Sequence, residues 1–489
     1  MSKILFTHSY FLRFDPKQWK MQQPYPPLGT ISAAAYMRNR NYQVALFDTM
    51  FIHSAKEIIP SLNLFQPEYL VIYDDGFNYL TKMCLTNMRE AAFEMIHFAK
   101  TRNIKIIVNS SDSTDHAEKY LSEGADYIIY GEGEETLGEL IDHLTNTDKL
   151  PENIAGLYYQ TSFGIVKTPK RNVLKTIDDL PTPAWDLINM KEYKERWIKN
   201  SGYFSLNLST TRGCPFHCNW CAKPIYGNRY NVHSPKRIVD EIKFLQHQYG
   251  VNYFWMTDDI FGLKPGWIKE FADLVQSNQL KFKFKIQSRA DLLTNDDTIS
   301  NLARAGCDSV WMGAESGSQK ILDAMEKGIK FEQIYEASNG LKKAGINPAF
   351  FLQFGYPGEE KTDIQLTLNM LSELAPTDIG VSVSYPLPGT VFYERVKDKL
   401  GDKANWKDSD ELALLFNTDL PKNYFKVLQR FVHRSFRLMK GKESVIQMIK
   451  SPASISKMKI RNSLLIPVHA FYKLLNGYKL NEMDKNRPV

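Results

Sequence analysis

One pattern constrains this chain more than any other, and it occurs twice: short, continuously apolar segments alternate with longer stretches of helical periodicity. In the first run the apolar segments are Lys3–His8, Tyr42–Asp48, Tyr69–Tyr73, Ile104–Val108 and Asp126–Tyr130. Helical stripes lie over Thr30–Arg40, over residues 80–101, and from Gly131-Glu-Gly-Glu-Glu-Thr136 to about residue 146. A strand apolar on both faces needs cover on both faces, so the pattern predicts a doubly wound parallel sheet. Such sheets bind ligands outside the carboxyl ends of their strands. The second run offers six strands: Tyr203–Thr210, Tyr253–Met256, Lys281–Gln287, Ser309–Met312, Ala349–Phe354 and Ile379–Val383. The expected class is α/β.

The chain divides on this reading into a Rossmann-like domain (1–150), a connector (151–200), a second α/β unit (201–400) and a basic helical region (401–489). In the connector, Leu157–Tyr159 and Ile165–Val166 read as a small hairpin. The Pro-rich Ile177–Leu187 either lays one domain on the other with Trp185 as anchor or runs as a solvated linker. Beyond residue 400, Asp410–Phe416 and Tyr424–Lys440 read as helices. The second of these places Phe425, Leu428, Val432, Phe436 and Met439 on one face.

The net charge of +6 conceals an asymmetry: residues 421–489 hold 15 Lys/Arg against 3 Asp/Glu, so the rest of the chain is net acidic. The apolar, aromatic stretch Leu464–Leu475 is flanked by Lys457, Lys459, Arg461 and Lys479. It can lie on an anionic membrane surface, close over an acidic substrate, or pack as a basic lid on the second unit. No nucleic-acid motif accompanies the charge, and none is expected as a partner. The run Met1–Phe6 reads as a first strand, not a signal peptide, and no stretch is apolar for the ~18 residues a spanning helix needs. Five cysteines without regular pairing exclude a disulfide scaffold and point to the cytoplasm.

Three of those cysteines lie in Thr211-Arg-Gly-Cys-Pro-Phe-His-Cys-Asn-Trp-Cys-Ala222, spaced C-x3-C-x2-C with no fourth nearby. A closed zinc or iron–sulfur site takes four protein ligands. Three thiolates, Cys214, Cys218 and Cys221, therefore suggest a [4Fe-4S] cluster with one iron open to a small molecule. The alternatives are a zinc site completed by His217 or a distant residue, and three unrelated cysteines in a loop. Cys84 and Cys307 lack ligand spacing and read as small buried residues. Lone histidines such as His8 and His116 read as structural.

The cysteine spacing, with Trp220 before the third cysteine, resembles the signature of the radical SAM superfamily. The composite of Pro26-Pro-Leu-Gly29, Asp48 and Gly131-Glu-Gly-Glu-x-Thr136 resembles the B12-binding domain fused to many of its members. The chain is thus similar to the group of the anaerobic magnesium-protoporphyrin monomethyl ester cyclase and the cobalamin-dependent radical SAM methyltransferases. The resemblance implies a partial (β/α)6 barrel for residues 201–400 and three cofactors: a [4Fe-4S] cluster, S-adenosylmethionine (SAM) and cobalamin.

It also implies roles for particular residues. Asp258 or Asp259 would accept from the SAM amino group, with an N-cap for the helix near Pro265 as the alternative. Ser288 and Arg289 would meet its ribose or carboxylate. Glu315 would bind ribose hydroxyls, Ser316 would face the carboxylate, and Phe354-Gly-Tyr-Pro-Gly358 would pack against adenine. Gly131 and Gly133 would let backbone approach the corrin, with Thr136 at the start of the following helix. Asn109–Thr114 replaces a Gly-Gly pair frequent in relatives, with bulk that would crowd the corrin, and His116 is the one candidate for an unorthodox cobalt ligand. The implied reaction is reductive SAM cleavage that functionalises an unactivated carbon, by C-methylation or by oxidative cyclisation without methyl transfer. A non-catalytic cobalamin or cluster sensor is the reading from a different class. The implied partners are a small or lipid-like substrate and an electron donor of flavodoxin or ferredoxin type; the basic C-terminal region adds peripheral contact with the inner membrane surface as an expectation.

Overall fold

The computed structural model describes residues 2–485 apart from Asp296, 402–404, 418–420 and Lys422. The first sheet begins with β1 (Lys3–Thr7), β2 (Gln43–Phe47), β3 (Tyr69–Tyr73), β4 (Lys105–Asn109) and β5 (Tyr127–Ile129). All pair in parallel, in the order β2-β1-β3-β4-β5, with the crossing-over of β1 expected of a doubly wound sheet. Every residue of β3 is buried, as continuous apolarity requires. The hairpin expected in the connector does form, as β6 (Leu157–Thr161) and β7 (Gly164–Lys167), but it is not a free-standing element. It pairs antiparallel to β5 and extends the first sheet to seven strands.

The Pro-rich connector is packed, not solvated. Trp185 is 1% exposed and its indole donates to Glu241 of the helix Pro235–Tyr249 (3.1 Å), while Ala184 N–H donates to Ile31 O of the helix Leu28–Asn39 (3.0 Å). Trp197 is fully buried and donates to Pro24 O (2.6 Å). These three contacts tie the two sheets through one hydrophobic core.

The second sheet comprises β8 (Ser205–Leu208), β11 (Tyr253–Met256), β12 (Lys283–Ser288), β13 (Cys307–Glu315), β14 (Asn347–Phe354) and β15 (Asp378–Val383). Its six parallel strands follow chain order from one edge to the other, which is a half barrel. A separate two-stranded ribbon, β9 (Thr211–Arg212) with β10 (Asn231–Val232), brackets the cysteine loop.

Asp410–Phe416 forms no helix. Leu412 sits at φ +46°, Trp406 donates to Ala413 O (2.7 Å), and Phe416 bridges to Leu400, so lateral bonds replace helical ones. Just before this segment, Trp406 reaches the first domain, where Thr86 N–H donates to its carbonyl (2.9 Å). The helix expected to end at Lys440 runs over Tyr424–Lys450. Two more helices, Lys457–Leu464 and Ile466–Lys485, return along it; Gly441 allows the crossing, since a Cβ there would stand 2.7 Å from Ile466. No helix among the described residues is long and apolar enough to cross a membrane.

Candidate active site at the cysteine loop

The cysteine loop leaves β8 at the carboxyl mouth of the half barrel, and Asp258 fixes that exit. Its carboxylate accepts from Thr210 N–H (2.7 Å), Thr211 N–H (2.8 Å) and the Thr210 hydroxyl (2.5 Å). Burial pushes its pKa up to about 6 despite these donors. Asp258 is thus spent on the turn before the cysteines and is not free for a SAM ammonium. Neither aspartate caps the next helix, which starts at Trp267 after Gly266. Asp259 is the available carboxylate. It accepts from Lys82 of the first domain (2.6 Å), and its charge is felt by Cys214 and Cys221.

The three thiols are all unpaired and half-buried, and burial pushes Cys221 up to about 12. Among the described residues no three Cys, His, Asp or Glu side chains converge on a single-ion site, so the tetrahedral zinc alternative has no formed ligand set. A cubane takes one thiolate per iron and needs no such convergence. Cations surround the thiols. Arg289 Nη1 lies 3.8 Å from Cys218 Sγ and its guanidinium stacks on Phe216 at 3.7 Å. Lys327 interacts with Cys218, and Lys82 with Cys221. This electropositive shell suits iron-bound thiolates, which stay anionic where free buried thiols would not.

Lys327 also donates to Glu315 (2.8 Å), with both side chains at most 8% exposed. Glu315 stands at φ +56°, a strained conformation for a non-glycine residue, at the end of β13. Arg289 is held by Asp291 through both nitrogens of its fork (3.0 and 3.1 Å), and Ser288 is buried beside it. Trp220 lies under Lys327, and its indole N–H is buried without a partner. Ser316 is a correction: its hydroxyl meets Thr367 (3.2 Å) and accepts from Ser318 N–H, so it holds a turn and does not face the mouth. The Phe354–Gly358 loop carries Gly355 against Phe425 of the long helix, where a Cβ would stand 2.9 Å from the ring.

The two domains meet through one buried cation. Arg212 donates to Glu132 (2.6 Å) and Glu134 (2.7 Å), all three side chains being at most 4% exposed. Around this link Phe77 stacks on Tyr226 at 5.5 Å, and Gly76 and Gly131 lie against Ile225 and Tyr226. Gly133 is needed for packing, because a Cβ there would stand 2.9 Å from Tyr73. Thr136 points away, donating to Ala155 O (3.0 Å) and accepting from Arg171 (2.7 Å). Asn109–Thr114 is not an open loop. Ser110 caps a short helix, Ser111–Asp115, and Asp112 is clamped by Arg89 and by Tyr120 (2.8 Å). His116 Nε2 is buried without a hydrogen bond.

Sequence reasoning missed Arg212, Lys82 and Lys327. Arg212 was in the motif itself, but its role depends on glutamates 78 and 80 positions earlier. Lys82 and Lys327 carried no local signal.

Residues 208–371 match the Radical SAM superfamily. The half barrel is a radical SAM domain. Beyond it, the chain is 26% identical over 389 residues to an uncharacterized methyltransferase of Pyrococcus horikoshii, covering 78% of this chain and 81% of that one. It is 27% identical over 280 residues to the anaerobic magnesium-protoporphyrin IX monomethyl ester cyclase of Cereibacter sphaeroides, covering 56% of this chain and 45% of the cyclase. The fold is similar to the cobalamin-dependent S-adenosylmethionine radical enzyme OxsB, solved with aqua-cobalamin bound: TM-score 0.73, 17% identity, 98% of this chain and 72% of that one. The α/β architecture with a helical C-terminus is therefore shared over nearly the whole length. The radical SAM domain in turn implies a [4Fe-4S] cluster and SAM.

Proposed function

We propose that this radical SAM enzyme functionalises an unactivated carbon of its substrate, by C-methylation that draws on cobalamin. The observation that carries the reading is the mouth of the half barrel, where three unpaired thiols meet Lys82, Lys327 and Arg289. When bound, the cluster would supply the electron for reductive SAM cleavage, and with it the chemistry for removing hydrogen from carbon. The chain's own residues do the rest. Asp259 accepts from the SAM ammonium, Glu315 orients the ribose with Lys327 fixing its carboxylate, and Arg289 neutralises charge beside Cys218. The electron donor is of flavodoxin or ferredoxin type.

Cobalamin would supply the methyl group. The residues that would hold it are the glycines at the carboxyl edge of the first sheet, Gly76 and Gly131, whose bare backbone suits a flat macrocycle. In the structure Ile225 and Tyr226 rest on those glycines, so occupancy requires that segment to withdraw. The relatives named as methyltransferases and the fold shared with OxsB support the methyl-transfer reading. The cyclase relative favours a second one, oxidation or cyclisation without methyl transfer.

The test is anaerobic reconstitution, reduction, and assay for 5′-deoxyadenosine. No product from a protein with a full cluster overturns the enzyme reading. S-adenosylhomocysteine formed alongside, with a spectral change on adding hydroxocobalamin, is the expected result for methylation. 5′-Deoxyadenosine without either supports the second reading.

A further inference from the structure

The last helix, Ile466–Lys485, is packed inside out. Its buried positions are His469, Asn476 and Leu480, two of the three polar, and His469 is bonded by Arg434 of the long helix (3.0 Å). Its apolar residues point to solvent instead: Phe471 is 61% exposed, Leu474 75% and Tyr478 65%. The preceding helix, Lys457–Leu464, buries nothing, and Met458 and Leu464 are 70% and 74% exposed. Isolated exposed apolar residues mean little, but a run of them along two successive helices marks a contact surface.

The charge around this surface identifies what it contacts. From Ser444 to Asn481 the chain has six Lys/Arg and no acidic residue. Lys457 and Arg461 border the exposed Ile460 and Leu464 around a shallow hollow. Arg437 stands behind the helix, close enough to Arg434 and Arg461 for their charges to interact. A second copy of this chain is a poor occupant, because a two-fold contact would set this cationic patch against itself. An apolar stripe edged by cations, with the acids Glu482 and Asp484 confined to the helix's last turn and paired with Lys485 and Lys361, fits the interface of an anionic bilayer.

We propose that the helices Lys457–Leu464 and Ile466–Lys485 dock this enzyme on an anionic membrane surface. Phe471, Leu474 and Leu464 enter the acyl boundary, and Lys457, Lys459 and Arg461 bind lipid headgroups. The inference stands apart from the carbon chemistry proposed for the barrel.

The test is flotation of the full reconstituted chain with vesicles of phosphatidylcholine alone or with about 30% phosphatidylglycerol. The bound fraction should be at least about tenfold higher on the anionic vesicles and fall severalfold in roughly 0.5 M salt. The double variant Phe471→Asp/Leu474→Asp should bind no better than the wild type does to neutral vesicles, and its 5′-deoxyadenosine output in solution should be unchanged. The variant Lys459→Gln/Arg461→Gln, which leaves the apolar stripe intact, should lose most of the salt-sensitive part. Equal binding to both vesicle types overturns the proposal, as does full binding by the aspartate variant. Light scattering that shows a dimer dissolved by the aspartate substitutions, with no vesicle binding, makes the face a contact between copies and overturns it too.

Discussion

Replacing Arg212 with methionine should unseat the two domains from each other. The guanidinium bridges Glu132 and Glu134 at 2.6 and 2.7 Å, and no side chain of the three is more than 4% exposed. Its removal leaves two carboxylates buried side by side, and breaking such a pair costs roughly 3–5 kcal/mol. For a cooperative unit of ~200 residues each kcal/mol moves the melting temperature by roughly 2–4 °C, so a drop of about 10 °C is expected. A chain of several domains does not melt in two states, so the comparison is between calorimetric midpoints of the holoenzyme, not extrapolated free energies. The triple variant Arg212→Met/Glu132→Gln/Glu134→Gln removes the stranded charge and should recover more than half of the loss. The amide introduced by Glu132→Gln can still accept from Leu174 N–H, which the Glu132 carboxylate now bonds at 2.6 Å. The single variant should also lose iron, because Arg212 is two residues from Cys214. A single variant melting within about 1 °C of wild type, or a triple variant no better than the single, would refute the electrostatic account.

Asp258 and Asp259 should separate cleanly. Asp258→Asn loses acceptors for the donors at Thr210 and Thr211 and should cost about 2 kcal/mol and lower iron content, whereas Asp259→Asn should cost about 1 kcal/mol or less and raise the KM for SAM severalfold. Lys327→Met strands Glu315 and should destabilise by about 3 kcal/mol; adding Glu315→Gln should restore the melting temperature but not SAM cleavage. Asp115 is pushed up to about 7, by burial first and then by the charge of Asp112. The folded chain therefore keeps a proton that the unfolded chain releases between about pH 4 and pH 7, so this group's contribution to stability falls as pH rises through that window. Asp115→Asn should stabilise the protein at pH 8 by about 1–2 kcal/mol and have little effect at pH 4, in urea titrations at both values.

Most strands, and the class of both sheets, were legible because they rest on local apolar continuity, which the chain carries residue by residue. The cysteine motif was legible for the same reason, since Cys214, Cys218 and Cys221 lie within eight residues of one another. Asp410–Phe416 was misread as a helix because its bonds go sideways, to Leu400 and Trp406. The hairpin of the connector was seen, but its place on the edge of β5 was not, since nothing in Leu157–Thr161 names its partner.

The sequence by itself determined the two runs of parallel strands, the spacing of the three cysteines and the basic character of the C-terminus. Tertiary structure decided which carboxylate is free. Asp258 and Asp259 are adjacent and chemically identical, yet one is consumed by the turn at Thr210–Thr211 and the other faces the thiols. Tertiary structure also decided that Arg212 joins the domains and that the last helix turns its apolar side outward. These outcomes depend on residues far apart in the chain meeting in a low-dielectric interior or failing to meet at all, and composition and periodicity carry no record of such meetings.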